Sequence, residues 1–416
     1  MRILHVNLSD VSGGAAIACA RLHSGLLSTG VDSQLLVYAV VDQDDPRVHS
    51  LSHGVEHQWR RVQQKLTVSL SKLQKDSKSF HCSPNIFNNS LLKRIDAINP
   101  DLVHLHWVGA NILPIDSLSK IRQPIVWTHH DMWPFCGAEH YSYSQRWLEG
   151  YNGLNRDASA SGPDLDRWTW VRKKSAWAGV SIDHVGPSRW MSDCAASSAL
   201  WKGSEGSRFS VIANGLDTDV FKPHACHQAR AGFGISGELP VLLFGAHSVE
   251  SSIKGGDLLK KVTEEISARG MPFQIVTFGR GHFDAPIGVP YLNVGVVNDC
   301  ETLAKLYSCA DVMLVPSRLE AFGQTASEAM SCGVPVCAFD TSGLRDIVDH
   351  QQNGYLAKCF DIADFANGVC WCLDNVSKEC AERVREKPLS AFKLDVCAGQ
   401  YLSLYKEILN KNGILG

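Results

Sequence analysis

The chain has 416 residues, 44% of them hydrophobic and 20% charged, with a formal net charge of −3. That length supports two or three domains with real cores, and the slightly acidic balance excludes a general nucleic-acid binder, which would show a basic field. Its fourteen cysteines are scattered without a Cys-x-x-Cys pair, which excludes a zinc-ribbon or disulfide framework and reads as reduced core thiols of a cytosolic protein.

The opening MRILHV turns polar too soon for a signal peptide, and no run of about 18 apolar residues offers a membrane span, so the expected location is the cytoplasm. Ile3 to Leu8 predicts a buried strand, followed by Gly13-Gly14 and a helix from Ala15 to Leu27. A glycine pair between a first strand and its helix lets a phosphate or a sugar approach the backbone. The pattern is not Gly-x-Gly-x-x-Gly and lacks the acidic residue at dinucleotide spacing, which argues against a nicotinamide cofactor. Gln34 to Val41 is the second strand. In 58–80, Trp59, Val62, Leu66, Leu70 and Leu73 recur at helical spacing, and the other faces carry Arg60, Arg61, Lys65, Lys72, Lys75 and Lys78 against one acid, Asp76. Two readings stand: a helix packed on the domain with a solvated basic face, or an interfacial helix that approaches anionic lipid.

Asp101 to His106 and Pro124 to Thr128 predict further buried strands, the second running into HHDMWPFCG at 129–137. Adjacent histidines at a strand's carboxyl end point to a site. A zinc reading would use His129, Cys136 and His140, at an irregular spacing. The segment 139–177 is rich in aromatic and polar residues and reads as a binding loop whose aromatic faces could stack on a sugar ring. Its stacking and hydroxyl-binding candidates are Trp133, Tyr141, Arg146 and Trp168, and the alternative for 164–177 is a helical packing segment. Strands follow around Val185 and Phe209, then a connection from Asn214 to Pro223. Pro240 to Gly245 opens a second domain, where Lys254-Gly255-Gly256 precedes a helix. A lysine placed there can meet a diphosphate. Phe273 to Phe278 and Pro290 to Val294 are the next strands.

The stretch from Ala310 to Ala338 reads as strand, loop, helix and strand, its loop at the carboxyl end of a parallel strand, where open α/β sheets bind ligands. Glu320 in the loop and Glu328 in the helix stand with seven residues between them.

Set in VPSRLEAFGQTASEAMSCGVPV, this pair resembles the signature of the retaining nucleotide-sugar glycosyltransferases of family 4. The resemblance implies the GT-B architecture: α/β, with two doubly wound parallel-sheet Rossmann-like domains facing across a cleft. It implies an acceptor-binding domain over 1–222, joined by a C-terminal helix from about 395 to 416, and a donor-binding domain over 223–394. It further implies catalytic roles for His130, Asp131, Lys254 and Glu320. Donor contacts would come from Gly13, Gly14, Lys254, Arg318, Glu320, Ala321, Phe322, Gly323 and Gln324, with Glu328 on the ribose hydroxyls. Neither a metal ion nor a cofactor is expected, because Asp217-Thr218-Asp219 matches Asp-x-Asp by letter only and falls in the interdomain connection. Relatives mostly carry Arg where this chain has Ala246, with Arg318 or Arg280 the candidates for the missing charge, and Glu where it has Asp346.

The motifs HDMWPFCGAEHY and DLDRWTWVRKK are similar to those of enzymes of bacterial surface polysaccharide assembly, of the O-antigen and colanic-acid type. The expected activity is transfer of a sugar, with retention, from a nucleotide-diphosphate donor to a hydroxyl of a glycan or lipid-linked glycan. Peripheral contact with the inner face of an anionic membrane through 58–80 is expected. The alternatives are a GT-B nucleotide-sugar epimerase and an inactive sugar-binding subunit. The aromatic insertion speaks against the first; the two glutamates, the lysine and the histidine speak against the second.

Overall fold

Short apolar runs bounded by turns assemble into two all-parallel sheets, one in each of two units, residues 1–212 with 398–416 and residues 213–397. A computed structural model describes residues 1–11, 13–40, 45–51, 54–74, 82–235, 237–376 and 380–414. Lys75 and Lys78 of the basic stripe lie outside the described residues.

The first unit contains β1 (Arg2–Ser9), α1 (Gly14–Ser28), β2 (Asp32–Ala39), β3 (Val48–Ser50), α2 (Val55–Ser71), α3 (Leu91–Ile98), β4 (Leu102–Leu105), β5 (Ile125–Thr128), α4 (Arg146–Glu149), α5 (Leu165–Ala176), β6 (Asp183–Gly186), α6 (Arg189–Ser197) and β7 (Arg208–Val211). Its strand order is β3-β2-β1-β4-β5-β6-β7. The order reverses between β1 and β4, so the loops after these two strands diverge and leave a crevice at their carboxyl ends. β4 and β5 are buried at every residue, which is why they read as continuous apolar runs. β3 is only three residues long and had no sequence signal.

The second unit contains α7 (Cys226–Gly232), β8 (Val241–Ser248), α8 (Gly256–Ala268), β9 (Gln274–Arg280), β10 (Tyr291–Asn293), α9 (Cys300–Ser308), β11 (Val312–Val315), α10 (Gln324–Ser331), β12 (Val336–Phe339), β13 (Gly354–Ala357), α11 (Ile362–Asn375) and α12 (Ala381–Lys387). Its order is β10-β9-β8-β11-β12-β13, reversing between β8 and β11. The division between units falls ahead of the expected boundary at 222, because Leu216 and Phe221 are buried in the second unit's core and Ser331 Oγ donates to the Phe221 carbonyl at 2.5 Å. A last helix, α13 (Leu394–Lys411), begins in the second unit, where the Leu394 amide donates to the Leu216 carbonyl, and ends in the first. There the Tyr405 and Tyr401 hydroxyls reach His104 Nδ1 at 2.7 Å and Thr128 Oγ1 at 2.8 Å.

Helix α2 is turned over relative to the first of the two readings. Trp59, Val62, Leu66 and Leu73 are 57%, 44%, 46% and 55% exposed, whereas Arg60, Gln63 and Thr67 are buried. The inner face meets polar backbone rather than a core. Arg60 donates to the Ala110 carbonyl at 3.1 Å and lies 3.8 Å over the Tyr38 ring, and Asn111 Nδ2 donates to Thr67 Oγ1 at 3.3 Å. Burial pushes the Arg60 guanidinium down to about 10. No helix among the described residues is long and apolar enough to cross a membrane. All fourteen cysteines are free thiols.

The first unit also buries an unusual number of imidazoles. Burial holds His5, His104, His106 and His129 well below their ordinary value, His184 at about 3, and His23 and His130 at about 4. In the unfolded chain each titrates near 6.5. Above that pH both states are neutral and the rings add no pH dependence. As pH falls from 6.5 toward 4, the unfolded chain takes up protons that the fold refuses, so stability is lost at about 1.4 kcal/mol per pH unit for each ring that stays neutral. The urea midpoint of the first unit should therefore fall steeply as the pH drops below 6. A level midpoint down to pH 5 would mean that the rings are charged in the fold.

Candidate active site

In the second unit the site grows from the crossing of two loops at the sheet's reversal point, one after β8 and one after β11. Gly255 caps α8 at φ 74°, and a Cβ there would stand 1.9 Å from the Pro316 carbonyl oxygen. Only glycine lets the loops lie this close. The Arg318 amide completes the crossing by donating to the Ile253 carbonyl at 2.8 Å. Lys254 is thereby brought to Glu320, its Nζ 2.7 and 2.8 Å from the two carboxylate oxygens. Ser317 Oγ donates to the same carboxylate at 2.9 Å, and the Glu320 amide donates to Ser342 Oγ at 2.9 Å. Ser317 and Ser342 were not singled out in the sequence, although Ser317 lies inside the signature stretch.

Glu328 is buried in α10 and accepts from the Tyr307 hydroxyl at 2.9 Å. Gly323 caps α10 at φ 115°, with Gln324 half-buried at the first turn. Ala321 and Phe322 are buried, and the Phe322 ring packs edge-on against Phe392 at 5.2 Å, so that side chain belongs to the core. In the first unit, Gly13 caps α1 in the same way, at φ 94° and ahead of Gly14. Helices α5, α6, α9 and α11 are capped by the side chains of Asp164, Ser188, Asp299 and Asp361. At α1, α8 and α10 the capping residue is a glycine, which brings no side chain of its own to the helix end. An anion can approach such an end where a capping carboxylate would repel it.

Arg318, a candidate for the charge missing at Ala246, is turned onto Asp257. Its two guanidinium nitrogens meet the two carboxylate oxygens at 2.6 Å each, and it also donates to the Ser252 carbonyl. The pairing holds Asp257 below the usual carboxylate range and offsets the positive charge. Arg280 ends β9 exposed. A cavity of about 810 Å³ in this unit, lined by Pro240, Arg269, Asp311 and Pro335 among others, lies at the amino ends of the strands, the edge opposite Lys254 and Glu320.

In the first unit, His130 follows β5, half-buried, with Nε2 3.0 Å from His106 Nδ1. Burial lowers it to about 4, against the nearby Asp131 charge, so the ring is neutral at physiological pH. His129 faces inward, fully buried against His184 at 3.0 Å. Asp131, expected to be catalytic, spends its carboxylate on the loop: Oδ1 accepts from the Trp133 amide at 2.9 Å and Oδ2 from His140 Nδ1 at 2.6 Å. Of the residues in the zinc reading, His129 is bonded through Nε2 to His184, and His140 to Asp131 and Ser83. Trp107, just beyond β4, is half-buried and stacks on His140 at 4.7 Å. It was missed because one aromatic at a strand end carries no pattern.

The acceptor set is not brought together. Trp133 is 1% exposed, its indole N–H donating to the Ser83 carbonyl at 2.8 Å and the Lys173 ammonium 3.7 Å over its ring. Neither face is left for a sugar. Arg146 is buried against Asp164 at 2.5 Å. Tyr141 is half-buried, and Trp168 is 47% exposed with the Arg172 guanidinium 4.7 Å over its ring. The two aromatic motifs instead hold each other. Lys173 of α5, fully buried, donates to the carbonyls of Trp133, Cys136 and Gly137 at 2.5, 3.1 and 2.7 Å. Burial pushes it down to about 7, with neighbouring acids opposing, and three acceptors require all three N–H bonds of the charged form.

Comparison with known proteins gives two family matches. Residues 12–220 match the family described as Glycosyltransferase Family 4, and residues 239–375 match Glycosyl transferases group 1. The chain is 32% identical over 174 residues to a D-inositol 3-phosphate glycosyltransferase of Mycobacteroides abscessus, covering 39% of this chain and 38% of that protein. It is 31% identical over 117 residues to the N-acetyl-alpha-D-glucosaminyl L-malate synthase of Bacillus anthracis, covering 27% of this chain and 31% of that protein. The matches thus span less than half the length of either relative. Among solved structures, sucrose-phosphate synthase from Thermosynechococcus elongatus superposes with a TM-score of 0.68 at 18% identity, over 99% of this chain and all of that one. Anabaena HepE in complex with UDP-glucose gives 0.64 at 16% identity, over 98% of this chain and all of that one. At these identities the structures establish the fold.

The loop crossing can be tested with two glycines of nearly equal φ. Gly270 is at φ 75° with open space within 4 Å of where a Cβ would stand, whereas Gly255 at 74° has the Pro316 carbonyl in the way. Gly270→Ala should cost about 1 kcal/mol of backbone strain alone, and Gly255→Ala about 3 kcal/mol or more. Urea titration of both variants checks this; equal losses would mean that the crossing relaxes freely.

Proposed function

We propose that this chain, which belongs to glycosyltransferase family 4, moves a glycosyl unit from a nucleoside diphosphate sugar to an acceptor hydroxyl, with retention at the anomeric carbon. The observation that carries the reading is the Lys254–Glu320 pair, held at the reversal point of an open parallel sheet. In the reaction the bond from the anomeric carbon to the diphosphate oxygen breaks, and a bond to the acceptor oxygen forms on the same face. Negative charge grows on the departing diphosphate. Lys254 and the glycine-capped first turn of α10 are suited to stabilise it without a metal ion. Glu320 is the carboxylate nearest the lysine and would release it to the phosphate when the donor binds. Glu328, further along in α10, is suited to the ribose hydroxyls, and His130 to a hydroxyl of the donor sugar. The UDP-glucose complex of Anabaena HepE supports a nucleotide-sugar donor.

The acceptor we propose is a lipid-linked glycan of surface polysaccharide assembly. Support comes from α2 and the turn that ends it, whose exposed Trp59, Val62, Leu66 and Leu73 are flanked by exposed Arg61, Lys65 and Lys72. That combination suits an anionic lipid surface, the apolar residues entering the headgroup boundary and the cations meeting phosphate. The names of the curated relatives, which cite inositol 3-phosphate and malate, favour a second reading with a small soluble acceptor.

Lys254→Ala and Glu320→Ala should each lower transfer by at least about a hundred-fold while the far-UV circular dichroism stays unchanged. EDTA treatment should leave wild-type turnover within about two-fold. Near-normal turnover in both variants would remove the donor site, and a strict need for Mg²⁺ or Mn²⁺ would remove the metal-free mechanism.

Vesicles separate the two acceptor readings. Vesicles of anionic lipid should sediment the protein at low salt and release it as screening rises. Lys65→Glu or Lys72→Glu should each weaken this partition by about five-fold, and Trp59→Ala should weaken it at every salt concentration. Equal sedimentation with neutral and anionic vesicles would leave the soluble acceptor.

A further inference from the structure

Behind His130, two more imidazoles stand in line. His106 Nδ1 is 3.0 Å from His130 Nε2, and His106 Nε2 is 3.0 Å from His5 Nδ1. His5 and His106 are buried at 0% and 3% exposure, on β1 and just beyond β4. The line ends at His5 Nε2, a buried atom with no hydrogen-bond partner among the described residues. His104 runs close alongside, 4.1 Å from His106 between ring centres, but both its nitrogens are taken by Tyr405 and Thr128. It does not branch the line.

A neutral imidazole has one N–H and one lone pair, so the end of the line sets its direction. If the proton of His5 sat on Nε2, an N–H would be buried without an acceptor. If it sits on Nδ1, only a lone pair is left unpaired, the less costly of the two. His5 Nδ1–H then donates to His106 Nε2, which forces the His106 proton onto Nδ1. That N–H donates to His130 Nε2 and forces the His130 proton onto Nδ1, the ring nitrogen outside the line.

We propose that His5 and His106 are positioning residues that hold His130 in a single tautomer, with Nδ1–H as its donor. The inference rests on the reading above that His130 meets the donor sugar, where a fixed N–H donor would bind a hydroxyl oxygen. Burial keeps the two inner rings neutral across the physiological range, so neither can take a second proton and break the direction. His5 and His106, with Cys19, also offer metal-ligand atoms within 4.8 Å of one another.

The test is nitrogen-15 NMR of the full-length protein with labelled histidine, reading which ring nitrogen of each residue carries the proton. His130 should be protonated on Nδ1 from pH 6 to 8. His106→Leu should release it into a mixture of tautomers and lower kcat roughly ten-fold, the worth of about one hydrogen bond, with the donor KM little changed. His106→Asn should restore the Nδ1–H form, because the amide N–H stands where the imidazole Nδ1–H stood; His106→Gln, which presents its amide farther out, should not. In a His130→Ala background, His106→Leu should bring no further loss of turnover.

An Nε2-protonated His130, an unchanged tautomer in His106→Leu, or one equivalent of a transition metal on elemental analysis would each overturn the relay. Should His130→Ala by itself leave turnover intact, the assignment of His130 to the sugar fails, and the NMR result still decides the relay on its own.

Discussion

The second unit depends on one close approach: the Gly255 backbone against the Pro316 carbonyl, with no room for a Cβ between them. Once two loops from either side of the sheet's reversal point are pressed together there, Lys254 and Glu320 have little choice but to meet. The ion pair follows from the backbone contact rather than creating it. Lys254 is about a third exposed, and a pair that reaches solvent contributes modestly to stability. What the crossing supplies is geometry, a cation and a carboxylate held at hydrogen-bond distance before any ligand arrives. Ser317 and Ser342 remove the remaining freedom of Glu320, one at its carboxylate and one at its amide.

The first unit solves a different problem, that of keeping polar groups inside a sheet-centred core. Its answer is pairing within chains of partners: Thr128, His104 and two tyrosines in one, and Lys173 with three carbonyls in another. A buried ammonium among carbonyls fixes the path of 133–137 more firmly than apolar packing would, because each bond has a direction. Asp131 works on the same segment from the other end. Together they hold still the loop that begins at His130, so a buried lysine and a carboxylate bonded to the loop decide where that ring stands.

Much of this was legible in the sequence wherever a local pattern carries a tertiary consequence. Buried parallel strands are apolar throughout, so they announced themselves, and the spacing of Glu320 and Glu328 after such a strand marked the candidate site where Lys254 meets Glu320. Helical periodicity in 58–71 told which residues share a face but not which face meets the protein; the polar groups at Ala110 and Asn111 take the Arg60 and Thr67 face and leave the apolar stripe outside. Trp133 and Arg146 looked like ligands because composition cannot distinguish an aromatic awaiting a sugar from one already covered by Lys173. Arg318 was hidden for a related reason, since Asp257 stands 61 positions away.

The path of α13 bears on how the molecule comes into being. Its last residues complete the core of the unit that contains the chain's first strand, with Tyr401 and Tyr405 supplying hydroxyls to Thr128 and His104. A ribosome therefore releases β1 through β7 long before their final partners exist. The whole of residues 213–397 must be made in between, about ten to forty seconds at ordinary elongation rates. Over that interval the first sheet carries unpaired polar atoms and an uncovered apolar surface, a natural client for a holding chaperone. A gene fragment ending near residue 212 would leave the sheet permanently in that state.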